Sequence, residues 1–185
     1  AGADFVGNEY LAKIKEGCKV TIVLGDKLAN DFYIPPEEPF KAIGALPYHY
    51  EINLRRFCKA RQGAIDSGLL NVHLWRHGHH TFHLKGLLAD GSLALLTGSN
   101  VNPRAWRMDL ENGLLVHDPQ GLLLAQHEAE LERILAHTRR VDHRQSLETL
   151  ADYPAPVRRL LGRLARTRLD RLVNQAGEVM ITRSR

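Results

Sequence analysis

The chain has 185 residues and a formal net charge of +4, enough for one domain of ordinary size plus an extension. A globular chain of this length buries roughly 70% of its unfolded surface, so Cys18 and Cys58, the two cysteines, are not required as a staple and are read as reduced and buried. No apolar run approaches the roughly 20 residues that a membrane span needs, and the charge distribution argues against a nucleic-acid groove: from Pro154 onward eight Arg face Asp170 and Glu178, a net +6, leaving −2 for everything before.

The start at Ala1 without a secretory pattern predicts a chain cut from something longer, or a processed one. Residues 5–16 read as a helix. Residues 18–24 form a β-branched apolar run closed by Gly25-Asp26, a buried strand. Four prolines and two glutamates between 30 and 47 make that stretch a loop. Residues 50–65 have helical spacing, with Ile52, Phe57 and Ala60 on one side. Strands follow at 69–75, 81–89 and 93–96, the last two joined by the strong turn signal Asp90-Gly91. A further strand at 112–117 leads through Asp118-Pro119 into a helix running to about residue 140. Strands and helices alternate, so the fold class is α/β, a mixed β-sheet flanked by helices. A polar stretch at 143–146 separates residues 1–142 from a helical basic tail, 143–185.

In that tail Val157, Leu160, Leu161, Leu164, Ala165, Leu169 and Leu172 recur at helical spacing. Arg158, Arg159, Arg163, Arg166 and Arg171 fill other positions, making a basic amphipathic helix. Two readings stay open: the arginines hold an anionic membrane surface, or the leucines pack on the domain.

The segment richest in chemistry is His83-Leu84-Lys85-Gly86-Leu87-Leu88-Ala89-Asp90. On a strand, His83 and Lys85 project to one face. An imidazole can attack phosphorus or move a proton near neutral pH, and an ammonium beside it can offset phosphoryl charge. Asp90 could orient an imidazole or close a turn. In this composition roughly 0.02 chance matches to HxKxxxxD are expected. His73, His77, His79 and His80 cluster just before the motif, but without cysteines or a standard spacing they are read as solvated or supporting groups rather than as metal ligands. Trp75 and Trp106 read as core or interface residues, and Arg104 and Arg107 as surface ion-pair or phosphate groups.

The motif continues into Thr97-Gly98-Ser99-Asn100-Val101-Asn102-Pro103-Arg104 and a later Glu111. With these residues the chain resembles the phospholipase D superfamily. Within it, residues 83–86, 97–111 and 137–171, including Ala151-Asp152-Tyr153-Pro154, resemble the C-terminal half of the bacterial phosphatidylserine synthases. Residues 1–142 would then be a phospholipase D-like catalytic half-domain. The resemblance implies phosphatidyl transfer from CDP-diacylglycerol to serine with release of CMP, through a phosphohistidine and without metal or other cofactor.

It implies catalytic roles for His83, Lys85, Asp90, Asn100 and Glu111. Phosphate contacts would come from Lys85, Asn100 and a hydroxyl from Thr97 or Ser99, because position 98 lacks the expected one. His83 is assigned to acid/base work in preference to nucleophilic attack. Two histidine motifs make one site, and only one is found here. Either a missing N-terminal half or a second copy of the chain supplies the other. The expected location is cytoplasmic, peripheral on the inner face of the cell membrane. The rival readings are a homodimeric phosphodiesterase, a cardiolipin synthase-like transferase, and a non-catalytic membrane-binding module.

Overall fold

A computed structural model describes residues 17–100 and 110–166. The helix expected at 5–16, residues Val101 to Asp109, and the tail beyond Arg166 with Arg171 lie outside the described residues.

The first sheet has three strands in the order β1 (Val20–Gly25), β2 (Leu70–Trp75) and β6 (Thr138–Arg140). β1 pairs in parallel with β2, starting at Val20 opposite Leu70. Parallel strands need a long crossover, which here contains α1 (Leu46–Ala60) and α2 (Gln62–Asp66). Burial alternates along β2. Leu70, Val72 and Leu74 are buried, whereas His73 and Trp75 on the opposite face are half-buried. The buried side joins Cys58, Ile65, Val141 and Leu147 in the main core.

The second sheet is an antiparallel meander of β3 (Gly86–Ala89), β4 (Leu93–Thr97) and β5 (Gly113–His117). The turn between β3 and β4 has both φ angles positive, 52° at Asp90 and 67° at Gly91. That is the backbone of a type I′ hairpin turn, which Asp-Gly favours. Leu87, Leu88, Leu96, Leu114 and Leu115 are exposed, and they come from both faces of this sheet.

Several elements differ from expectation. α1 begins at Leu46 rather than at residue 50, because Pro47 falls in its first turn, where a missing N–H is harmless. It breaks at Arg61, whose φ is −122°. The strand expected from residue 81 starts only at Gly86. The helix expected to run from 118 to 140 is shorter, because Asp118 accepts a hydrogen bond from the Leu123 amide (2.7 Å) and forms a turn first. α3 (Leu124–Leu135) follows, and Thr138–Arg140 then becomes β6, antiparallel to β2. The open side of β2 captures these residues and the next, the Val141 amide donating to the Val72 carbonyl at 2.8 Å. Cys58 is buried as expected, its thiol pushed up to about 11 by burial, but Cys18 is exposed.

Residues 143–166 are packed into the same body. Leu147 belongs to the main core beside Val141. α4 (Ala155–Arg166) buries Val157 and Leu161 against Ala45, Tyr48 and Tyr153 in a second cluster.

Candidate functional site

His83 and Lys85 lie on an extended strip that ties the two sheets together. At one end the Phe82 amide donates to the Ala29 carbonyl (2.9 Å), just past β1. At the other the Thr97 amide donates to the Lys85 carbonyl (3.3 Å) at the end of β4. The ladder expected to hold this strip begins one residue later, yet the two side chains still converge. Lys85 Nζ is 3.3 Å from His83 Nδ1.

The other ring nitrogen is held by a residue that sequence reasoning missed. His83 Nε2 lies 2.5 Å from Asp31 Oδ2. An ammonium can only donate, so Nδ1 accepts from Lys85 and Nε2–H donates to Asp31. Both nitrogens are engaged at rest, and either becomes available only when its partner turns away. His83 and Asp31 are about half exposed, at 59% and 48%, so a substrate can reach them. Asp31 follows a parallel strand by a few residues, and the space outside the carboxyl ends of such strands is where α/β folds place ligands. That position was the available signal.

The loop bearing Asp31 is fixed from below. Asp26 accepts from the Leu28 amide (3.1 Å), and Asn30 from the Phe32 amide (3.0 Å). Lys27, almost fully buried, pairs with Glu51 (2.7 Å) and Glu148 (2.5 Å). Its ammonium lies 5.6 and 5.4 Å from the ring centres of Tyr48 and Tyr153. Burial pushes the Tyr48 hydroxyl up to about 12, and burial together with Glu51 raises Tyr153 further. A buried charge of this kind must stay paired, so the loop after β1 is locked to α1 and to the segment before α4.

The remaining candidates are distributed unevenly. Asp90 is exposed in the β3–β4 turn, at the far end of β3. At about 3.3 Å per residue that strand holds it roughly 13 Å from the Lys85 end. The Thr97 hydroxyl donates to the Asn112 carbonyl (2.9 Å) and accepts from the Ser99 amide (3.0 Å). Its hydrogen bonds thus go to backbone, leaving Ser99 as the less committed hydroxyl of the two. Gly98 faces the Glu111 carboxylate so closely that a Cβ there would lie 2.7 Å from Oε2. A serine at 98 would make the exposed Glu111 carboxylate shift aside. Asn100 and Glu111 are exposed at the same end of the second sheet as Lys85. Lys85, Ser99, Asn100 and Glu111 therefore share one rim, with His83 and Asp31 beside it.

The histidine cluster divides: His77 and His80 stay together, with ring centres 5.5 Å apart, and His73 lies apart from them on β2. His73 bonds Thr138 Oγ1 at 2.9 Å, and burial with nearby Arg140 holds its pKa below the usual value. His77 stacks on His137 at 3.9 Å. Among the described residues no group of His, Cys, Asp and Glu is arranged to hold a metal ion. Arg158, Arg159, Arg163 and Arg166 are exposed on α4, and among the described residues no helix is long and apolar enough to cross a membrane.

A family model described as "Cardiolipin synthase, PLD-like domain" matches residues 5–135. The chain belongs to this phospholipase D-like family. It is 56% identical over 160 residues to the CDP-diacylglycerol–serine O-phosphatidyltransferase of Haemophilus influenzae, covering 86% of this chain and 35% of that protein. The enzyme PssA of Escherichia coli, of the same description, is 55% identical over 162 residues, covering 88% of this chain and 36% of PssA. The crystal structure of the phosphatidylserine synthase of H. influenzae superposes with a TM-score of 0.86 at 54% identity, over 91% of this chain and 38% of that one. The phospholipase D-like fold and the resemblance to phosphatidylserine synthases are thereby shown, and the chain spans about a third of the length of the relatives it matches.

Proposed function

We propose that this chain supplies one half of the active site of a phosphatidyl transferase that joins the phosphatidyl group of CDP-diacylglycerol to the hydroxyl of serine. The observation that carries the reading is the accessible His83, held by Asp31 and touched by Lys85, on a chain more than half identical to enzymes so described.

In the first step a histidine nitrogen attacks the phosphorus bearing the diacylglycerol ester. A P–N bond forms, the P–O bond to CMP breaks, and CMP takes a proton from a second histidine. In the second step that histidine takes the proton from the serine hydroxyl, whose oxygen attacks phosphorus and breaks the P–N bond. His83 is assigned to the acid/base part. Lys85 neutralises the phosphoryl oxygens, and arrival of the phosphate draws its ammonium away from Nδ1. Ser99 and Asn100 hold phosphate oxygens at the rim, with Glu111 supporting the turn. Asp90 contributes by shaping the hairpin.

The second histidine belongs to a part of the protein outside this sequence, or to a second copy. Support comes from the leucines left exposed on both faces of the second sheet. Large exposed apolar patches mark surfaces that meet another protein part. The test is CMP release and phosphatidylserine formation from labelled CDP-diacylglycerol and serine. The complete protein turns over, whereas residues 1–185 alone do not. Robust turnover by a demonstrated monomer of this chain would refute the shared site.

The substrate's acyl chains lie in a bilayer, so the site works at a membrane surface, with the arginines of α4 as the anchor on the cytoplasmic leaflet. Each Arg near an anionic surface contributes about 1 kcal/mol. Changing Arg158, Arg159 and Arg166 to Gln therefore lowers partition onto anionic vesicles on the order of 100-fold. Added salt releases the wild type, as the Debye length falls to roughly 3 Å at 1 M. Co-sedimentation at low salt checks this, and equal binding by the triple variant removes the helix as anchor.

A further inference from the structure

Between the His83 strip and α3 lies an open cleft of about 440 Å³. Its walls include Trp75, Phe82, His83, Glu130, Arg133 and His137. The volume is that of a small-molecule site, and the chemistry of the walls is selective. Trp75 and Phe82 have ring centres 5.3 Å apart at 37°. His137 stands edge-on to Trp75 at 6.4 Å, backed by the stacked His77. Such flat faces suit a planar heterocycle. Glu130 and Arg133, three residues apart, share one side of α3. Both are exposed, and neither forms an ion pair with another described residue. A carboxylate and a guanidinium thus face the same cleft uncommitted.

We propose that this cleft is the nucleobase subsite and that Glu130 and Arg133 select cytosine. The proposal rests on the phosphatidyl-transfer reading above for the identity of the nucleotide. Cytosine presents an amine donor beside the acceptors N3 and O2. Glu130 accepts from the amine, as acidic side chains do at cytosine N4, and Arg133 donates to the acceptors. Uracil would turn a carbonyl oxygen toward Glu130 and an N–H toward Arg133, so it is opposed at both contacts. The base stacks against the aromatic wall. Because His83 forms part of the same cleft, the nucleotide would sit beside it. That gives His83 the task of placing a proton on the departing CMP phosphate oxygen, and it separates His83 from the attacking histidine.

The test uses the complete protein and calorimetric titration with CMP and with UMP, which needs no turnover. Phosphatidylserine formation and the KM for serine are measured alongside. The wild type is expected to bind CMP at least about ten-fold more tightly than UMP. Glu130→Gln and Arg133→Gln each lose about ten-fold for CMP, keep the wild-type Tm because both side chains are exposed, and leave the serine KM unchanged. Trp75→Leu weakens both nucleotides by about ten-fold or more, as loss of a stacked base does. Unchanged CMP binding in the two α3 variants would overturn the proposal. So would a raised serine KM with CMP binding intact, which would make the cleft the acceptor pocket. A protein that forms no phosphatidylserine, yet binds CMP in a manner dependent on Glu130 and Arg133, would sink the transferase reading and leave the cytosine subsite standing.

Discussion

Changing His83 to alanine in the complete protein lowers phosphatidyl transfer by about 10²–10⁴-fold, the usual effect of removing a catalytic acid/base. The fold should survive, because the side chain is 59% exposed and its partners are Asp31 and Lys85 rather than the core. Circular dichroism and Tm therefore match the wild type, and kcat carries the loss. Lys85→Ala behaves differently. Its ammonium faces a phosphate that is charged before and during reaction, so KM rises as kcat falls. Asp31→Asn preserves the shape of the contact but changes its polarity. The amide offers a carbonyl to Nε2–H without the negative charge, so the imidazolium formed during proton transfer loses its counter-ion. The expected loss in kcat is smaller than that of His83→Ala. A surface histidine with no part in the chemistry would leave all three variants near wild-type turnover, and that result would end the assignment.

Much of the architecture was legible because it depends on short-range patterns. The β-branched run at 18–24 is β1 within two residues, and Asp90-Gly91 forms the expected turn. What failed depends on tertiary context. The local pattern makes residues 138–140 the end of a helix, since nothing local announces that β2 has an open side waiting for Thr138–Arg140. The His83 strip lacks a strand partner, yet its two side chains converge because hydrogen bonds to Ala29 and Thr97 hold its ends. His83 and Lys85 were visible as a spaced motif. Asp31 was not, as it is brought in from a proline-rich loop 52 positions away with no motif of its own. Thr97 and Ser99 were indistinguishable by spacing, and only the hydrogen bonds of Thr97 to backbone separate them. The tail showed both a basic face and an apolar face, and its sequence could not say what the apolar face meets.

Leu161→Ala is expected to destabilise the protein by about 2–5 kcal/mol, the range for emptying a buried leucine site. Leu161 is only 7% exposed and Val157 3%, both against Ala45, Tyr48 and Tyr153. Tyr153 reaches across to donate its hydroxyl to the Tyr48 carbonyl at 3.2 Å, and Lys27 caps the two rings. Collapse of this cluster would also expose a paired buried charge, so the site cannot relax cheaply. In a domain of this size each kcal/mol lowers Tm by roughly 2–4 °C, giving a drop of about 4–20 °C. Arg159→Gln on the opposite side of α4 should change stability by no more than about 0.5 kcal/mol. The contrast tests the two faces of one helix separately: the leucines as packing beneath the loop that carries Asp31, and the exposed arginines as the proposed membrane contact. Differential scanning calorimetry beside vesicle co-sedimentation decides it. Loss of vesicle binding by Leu161→Ala with an unchanged Tm would mean that the apolar face enters lipid, and the packing account of α4 would be wrong.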